Sequence, residues 1–460
     1  MKTIFITAYN PFIARNIFNT AVLKRLREQV GLRLILLVGT DKKEFMERHY
    51  GGKNVLVEGR DLDSLINRNK FWYRLAFLLQ NTRYVKDQRA ERLSKNNNPR
   101  GYLNYWLVNL SAFVLSNLPL AVKLYRMLDY HFSPKDAFSE FFEKYSPSLI
   151  FSTDIFGETD ILLIREAEYL RVPVIGMVRS WDNPTTKGIL RVIPKKIIVH
   201  SPIMKRELAK LHGCDEKNIF VAGYPQFDDW FKGPTLSRED FFKKIGADPA
   251  KRLVLFAPAG SVLSDTDWQL CQILKEALDD GSLPNDIQFL VRNHPHHPAD
   301  LSRFQGDSRF ITETPGIRDK GWSDKTIEFR PDENDHLRNS VYYSDMVMYV
   351  ATTLGLDAAV FNKPQIMVSF DGWEKKPYVR SVRRYNREDC LANLVRCGGT
   401  RVVRSKEDWL KSINDYLEDP ALDQEGRSRT VRNHLYKLDG KAGERIADFI
   451  LGFLHERDKN

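Results

Sequence analysis

Short runs rich in Val, Ile and Leu alternate with helix-period segments along most of the chain. The first half reads as strands at 3–8, 33–38, 148–152, 174–178, 196–199 and 219–222, with helices at 12–30, 159–170 and 202–211. Apolar runs bounded by turn residues are the pattern of parallel strands buried on both faces. A Gly-Pro-bearing stretch at 228–237 reads as a linker, and the alternation then restarts. Strands are expected at 253–257, 287–292, 346–350, 365–368 and 401–403, and helices at 267–279, 333–343, 354–361, 407–417 and 442–454. This predicts an α/β protein of two doubly wound, Rossmann-like domains facing a cleft. The expected domains are 1–230 with a helical insertion at 60–145, then 231–437, then a closing helix in 438–460. A ligand is expected beyond the carboxyl ends of the strands, in the cleft.

The interruption has its own character. From Arg60 to Tyr130 there are twelve lysines and arginines against five acidic residues, a large part of the chain's net +10. Aromatic and aliphatic residues are interleaved: Phe71-Trp72-Tyr73, Tyr102, Tyr105-Trp106 and the run after it. Basic and amphipathic together predict contact with an anionic membrane surface through Arg83, Lys86, Arg89, Arg92, Lys95 and Arg100. The stretch 105–122 is nearly uncharged, but Asn109, Ser111, Ser116, Asn117 and Pro119 interrupt it, and a span takes about 20 mostly apolar residues. It reads as a buried or interfacial helix pair, the plain alternative being a helical cover with a solvated basic face. No nucleic-acid-binding signature accompanies the charge, so nucleic acid is not an expected partner. Four scattered cysteines without C-x-x-C spacing and an N-terminus that reads as a strand point to a cytoplasmic protein. Peripheral attachment at the inner face of the plasma membrane would follow from the basic insertion.

Polar residues gather where strands end. Ser152-Thr153-Asp154 and Gly157-Glu158-Thr159-Asp160 follow one strand; Arg179-Ser180-Trp181-Asp182-Asn183 follows the next. Asp154, Glu158 and Asp182 are candidate general bases for a sugar hydroxyl, and Trp181 could offer its face to a sugar ring. Asp and Asn before Pro also make ordinary turns. The loop Tyr9-Asn10-Pro11 could face the same place and lacks Gly-x-Gly-x-x-Gly, against a nicotinamide cofactor. In the second half, Arg292-Asn293-His294-Pro295 ends a strand. His294 could donate to a phosphate or sugar hydroxyl and be cationic near neutral pH; metal binding and a structural loop are the alternatives. Ala259-Gly260-Ser261 is either a close approach for a ligand or a tight turn. Thr352-Thr353 opens a helix carrying Asp357, and either binds phosphate or caps the helix. The expected donor-binding set is thus Ala259, Gly260, Ser261, Arg292, His294, Thr352, Thr353 and Asp357, with catalysis by Asp154, Glu158, Asp182 and His294.

Several of these stretches resemble the GT-B superfamily. They are Phe256-Ala257-Pro258-Ala259, Asn293-His294-Pro295, Tyr343-Ser344-Asp345, Thr352-Thr353-Leu354-Gly355-Leu356-Asp357-Ala358-Ala359 and Lys363-Pro364. Asp439-Gly440-Lys441-Ala442 with Arg445-Ile446 is similar to the closing helix of such proteins. Within the superfamily the chain looks like the CDP-glycerol glycerophosphotransferase and capsule-polysaccharide transferase group, with UDP-N-acetylglucosamine 2-epimerase more distant. The resemblance covers roughly 148–455. It implies that His294 and Thr352/Thr353 hold a donor diphosphate, that Asp357 lies near its ribose, and that no metal or other cofactor is required. Ala-Thr-Thr in place of an Asp-Tyr-Ser-Ser-like turn, and Ala-Pro-Ala-Gly without an aromatic and Arg, depart from the glycerophosphotransferase pattern and favour a nucleotide sugar. The implied function is a glycosyltransferase moving a sugar from a nucleotide-activated donor to a glycan or lipid-linked acceptor in surface polysaccharide synthesis. A nucleotide-sugar epimerase, a CDP-glycerol-type polyol phosphotransferase and a non-catalytic glycan- or lipid-binding relative are the alternatives.

Overall fold

The computed structural model describes residues 1–95, 99–319, 322, 326–330 and 332–456. The Asn96-Asn97-Asn98 tract, the Lys95 side chain and the last four residues of the expected closing segment lie outside the described residues. The chain divides into two units: Met1–Asp228 with Asp319–Thr326 and Asp439–Asn460, and Asp229–Arg318 with Ile327–Leu438. Each is a doubly wound, Rossmann-like α/β body, the kind of lobe from which a GT-B fold is made.

The first unit is built on seven parallel strands: β1 (Lys2–Thr7), β2 (Leu32–Val38), β3 (Val55–Gly59), β4 (Leu149–Ser152), β5 (Val174–Met177), β6 (Lys196–Val199) and β7 (Ile219–Val221). Their order is β3-β2-β1-β4-β5-β6-β7. β1 pairs with β2 on one side (Ile4 opposite Leu34) and with β4 on the other (Ile4 opposite Leu149). The order reverses there, and a ligand crevice is expected at the carboxyl ends of those two strands. The expected helix at 12–30 is broken into a π-turn, Ala14–Phe18, and a helix, Ala21–Glu28. Thr20 makes the break, because its hydroxyl accepts the Val22 N–H at 3.3 Å and starts the helix afresh. The closing helix, Ala442–Glu456, belongs to this unit. Asp228 accepts the N–H groups of Ala442 (2.9 Å) and Gly443 (2.6 Å) at its start, and Phe449 stacks on Phe220.

The second unit has six parallel strands: β8 (Arg252–Ala257), β9 (Ile287–Arg292), β10 (Phe310–Glu313), β11 (Met346–Tyr349), β12 (Gln365–Val368) and β13 (Arg401–Val403). Their order, β10-β9-β8-β11-β12-β13, places its switch point between β8 and β11.

The insertion holds helices Asp63–Arg68, Lys70–Leu78, Arg83–Lys95, Pro99–Ser116 and Pro119–Phe132. Its inner side is anchored by a small core of Ala76, Leu79, Tyr125 and Ile189, against which Trp72, Leu75 and Leu115 pack. Below it lies a buried ion network. Asp129, with no exposure, accepts from Arg165 and from Arg191 (2.9 Å), and Arg191 also donates to Glu158. Of the expected membrane-facing basic cluster, Arg89 turns inward, whereas Arg83 stays exposed and pairs along its own helix. Arg89 donates to the carbonyls of Phe77 (2.8 Å) and Gln80 (3.2 Å), and Arg83 pairs with Asp87 at 3.0 Å. Carbonyls at a helix end need donors, and Arg89 is the donor that the Lys70–Leu78 helix uses. Among the described residues no single helix is long and apolar enough to cross a membrane. Pro99–Ser116 and Pro119–Phe132 are so only together, and they meet at 98°.

Candidate functional site

In the first unit the carboxyl ends of β1 and β4 are stitched together by polar side chains. The Thr7 hydroxyl donates to Asp160 at 2.5 Å and accepts the Thr153 N–H at 2.8 Å. Ser152 donates to the same Asp160 oxygen at 2.7 Å, as does the Asp154 N–H at 3.3 Å. Asp160 is in the first turn of the helix Glu158–Tyr169. Burial, and then the charge of Asp154, push its carboxyl up to about 7. Asp154 itself accepts from Arg179 Nε at 2.7 Å. Burial works against the Arg179 charge, but Asp154 outweighs it and raises that pKa. Tyr9, just past β1, has its hydroxyl pKa raised by burial and by Asp160.

Several buried polar atoms in this region have no hydrogen-bond partner among the described residues: Tyr9 Oη, Asp154 Oδ1, Glu158 Oε1, and both side-chain polar atoms of Asn183. They follow β1, β4 and β5, on the side of the sheet where ligands bind. An unpaired buried polar group costs about 1–3 kcal/mol. Five such atoms at one end of a sheet are readily explained if a polar ligand or ordered water completes them.

The three expected bases differ in surroundings. Asp154 keeps one oxygen unpaired. Glu158 is tied to Arg191 by one oxygen. Asp182 accepts from the hydroxyls of Ser180 and Thr186, so its carboxylate closes its own turn. Trp181, expected to offer a face to a sugar, is only 6% exposed; it is packing, not a platform. Thr7, Asp160 and Arg179 were not among the expected residues. Their signal was the polar residues Thr7 and Ser152 closing two apolar strands that turn out to be neighbours.

In the second unit the Ala259-Gly260-Ser261 turn is a tight turn. Asp267 accepts the N–H groups of Ala259 (3.2 Å) and Gly260 (2.7 Å), and the His297 carbonyl accepts that of Ser261 (3.0 Å). These three N–H groups are spent internally, which leaves only the exposed Ser261 hydroxyl for a ligand. Burial pushes the Asp267 carboxyl up to about 6 despite those bonds. Gly260 has φ +87°, and a Cβ there would lie 2.5 Å from the His297 carbonyl oxygen. Gly260→Ala is therefore expected to destabilise the unit by about 1–3 kcal/mol and to displace the His294–His297 loop. A thermal melt with a nucleotide titration checks both.

Arg292, expected at the donor, is buried between Glu313 and Glu333, and His336 also donates to Glu313 at 2.6 Å. Burial opposes the Arg292 charge, yet the two glutamates raise its pKa. Its guanidinium is committed to protein carboxylates. His294 departs from expectation in charge. Burial, then His297 and His296, lower its pKa to about 4, so the free protein carries it neutral at pH 7. Its Nδ1 accepts the N–H groups of His296 and His297, both at 3.2 Å. That leaves Nε2–H as the donor to a ligand. No group of His, Cys, Asp or Glu among the described residues has the arrangement of a metal site. Thr352 and Thr353 follow β11. Thr353 is the N-cap of Leu354–Val360, but its hydroxyl makes no capping bond. Asp357 sits in that helix's first turn, 5% exposed.

A family model of CDP-glycerol:poly(glycerophosphate) glycerophosphotransferase matches residues 178–319. No curated protein matches the chain in sequence. Solved structures match over nearly its whole length. MnaA of Staphylococcus aureus in complex with UDP is 13% identical, with a TM-score of 0.56, over 99% of this chain and 97% of its own. UDP-GlcNAc 2-epimerase from Neisseria meningitidis, bound to UDP-GlcNAc, is 11% identical with a TM-score of 0.55, over 98% and 100%. The UDP-GlcNAc 2-epimerase of Methanocaldococcus jannaschii is 13% identical with a TM-score of 0.54, over 98% and 100%. At these identities the likeness is one of fold.

Proposed function

We propose that the protein acts on a nucleoside-diphosphate sugar and breaks the bond between the sugar and the diphosphate. The observation that carries this is the Asp154–Asp160–Arg179 group with its unpaired oxygen at the β1/β4 switch point. Burial raises one carboxyl, Asp160, to about 7, and its neighbour Asp154 lies against an arginine, a pairing of unlike surroundings suited to acid and base roles. In the second unit, the His294 Nε2–H and the uncapped Thr352-Thr353 turn would hold the diphosphate and stabilise the charge that develops on it. Asp357 would contact the ribose.

The finer reading supported by the full-length fold likeness is epimerisation of a UDP-N-acetylhexosamine. Inverting a carbon that bears hydrogen requires a proton to leave one face and one to return to the other; if the sugar–diphosphate bond breaks as the first proton leaves, the diphosphate adds back as the second arrives, which calls for an acid and a base but no acceptor. The second reading is transfer of the sugar to a lipid-linked acceptor. The exposed apolar helix pair of the insertion favours it, while the family match over 178–319 favours the polyol phosphotransferase. The test is incubation in D2O with UDP-GlcNAc alone, with UDP-GlcNAc plus a membrane extract, and with CDP-glycerol. Epimerisation gives a deuterated UDP-sugar of altered stereochemistry without the extract. Transfer releases UDP only with the extract. Release of CMP from CDP-glycerol would move the reading to a polyol phosphotransferase, and no turnover and no nucleotide binding would overturn it altogether.

A further inference from the structure

At the carboxyl ends of β12 and β13 the chain builds a cavity of about 210 Å³ lined by Ser369, Tyr378, Arg383, Asn386, Arg387 and Arg404. Its wall is held in place. Asp371 accepts from the Ser381 hydroxyl and, at 2.8 Å, from the Val382 N–H, which folds the 3₁₀ turn Val382–Arg387 back toward the strand ends. Asn386 then donates to Ser369 Oγ at 2.9 Å. Arg383 is aimed by its bonds to Ser381 Oγ (2.9 Å) and the Lys376 carbonyl (2.6 Å), and Arg387 lies by the Tyr378 ring.

What sets this cavity apart is its charge. Elsewhere in this unit the strand arginines are neutralised: Arg292 between Glu313 and Glu333, Arg401 between Asp415 and Asp423, Arg252 by Asp286. Arg383, Arg387 and Arg404 have no carboxylate partner among the described residues, and none lines the cavity. Three like charges brought together repel one another. Guanidinium forks around a hollow match the oxygens of a phosphate. The volume is below the roughly 300–1,000 Å³ of a site for a whole drug-sized ligand, and suits one phosphate or diphosphate group.

We propose that this cavity is a phosphate-binding subsite for an organic phosphate or diphosphate. The proposal does not depend on the proposed reaction. The phosphate could be that of the nucleotide or that of a second phosphorylated molecule, and the experiment separates the two. Wild type and the double variant Arg387→Glu/Arg404→Glu are titrated calorimetrically with inorganic pyrophosphate and with UDP, at low and high salt. Lys243→Glu/Lys411→Glu, with the same change in net charge on exposed residues of this unit, is the control. Pyrophosphate is expected to bind wild type and the control with a salt-weakened affinity, and the double variant at least tenfold more weakly. Arg387→Lys/Arg404→Lys should fall between. A parallel loss of UDP affinity makes the phosphate the nucleotide's; unchanged UDP affinity makes it a separate molecule's. Equal pyrophosphate binding by wild type and double variant, or no binding by wild type, overturns the proposal.

Discussion

Asp154→Asn is expected to lower turnover by about a hundredfold to ten-thousandfold, the usual contribution of a positioned acid or base. Asparagine can still accept the Arg179 Nε–H that Asp154 accepts at 2.7 Å, so the loop should keep its shape. What is lost is the charge on the oxygen that has no protein partner. The companion variant Asp160→Asn separates chemistry from folding. Asp160 keeps its proton up to about pH 7 in the folded protein, whereas an unfolded aspartate releases it near pH 4, about 3.9. Between those values the folded state binds more protons, so stability falls as pH rises through that window. Asparagine does not titrate, and its carbonyl oxygen can accept the same bonds from Thr7 and Ser152. The variant should therefore lose activity yet melt above wild type at pH 8, the gap closing toward pH 4. Wild-type turnover in Asp154→Asn, or a melting difference that ignores pH, would show that the acid–base pair has been misplaced.

Binding to vesicles that carry anionic lipid is the second large effect expected, and it should reside in the apolar helix pair more than in the basic run before it. Trp106 is 68% exposed, Leu110 63% and Phe113 61% on Pro99–Ser116, while Leu120 and Met127 continue the apolar surface on Pro119–Phe132. No aspartate or glutamate occurs between Glu91 and Asp129. Lys86, Arg92, Arg100 and Lys123 are exposed around the pair. An apolar face ringed by cations matches an anionic interface, where each nearby cation adds about 1 kcal/mol. Fully burying a large apolar side chain adds roughly 1.5–3 kcal/mol. Trp106→Glu/Leu110→Glu/Phe113→Glu should therefore abolish co-sedimentation with such vesicles while leaving the melting temperature unchanged. High salt should weaken wild-type binding without abolishing it. A protein that is dimeric in solution, made monomeric by the same triple change and indifferent to vesicles, would assign this face to a second copy of the chain.

How much of this the sequence disclosed depended on whether a property was local. The central strands were legible because both faces are buried and the apolar run is unbroken, as in Leu-Ile-Leu-Leu-Val of β2. β3 and β10 were missed. They are edge strands, with an exposed position in Val-Leu-Val-Glu-Gly and another in Phe-Ile-Thr-Glu, and a run so interrupted does not stand out. The strand ends were rightly found to be rich in polar residues, but their partners were not visible. Arg292 meets glutamates 21 and 41 positions away, and Gly260 meets an aspartate in the next helix. Residue type and position along a strand do not say whether a guanidinium or an N–H is already spent. The same ambiguity hid Arg89, which reads as a surface charge and serves as a helix clamp.

The turn between the insertion's first helices also holds up the loop after β5. Gln80 donates to the Pro184 carbonyl at 2.7 Å and accepts the Gly188 N–H at 2.9 Å. Thr82 donates to the Thr185 carbonyl at 2.7 Å, and the Ala76 carbonyl accepts the Ile189 N–H at 3.0 Å. Four backbone groups of the loop after β5 thus find partners in a segment that looks, along the chain, like an appendage. Excising it would remove those four bonds, at about 0.5–1.5 kcal/mol apiece, with the Pro184 carbonyl keeping a second partner in His212 Nε2 at 2.8 Å. The insertion is therefore not a detachable module. A shortened descendant could survive only by rewriting the 183–189 loop at the same time, so the two segments are bound to change together or not at all.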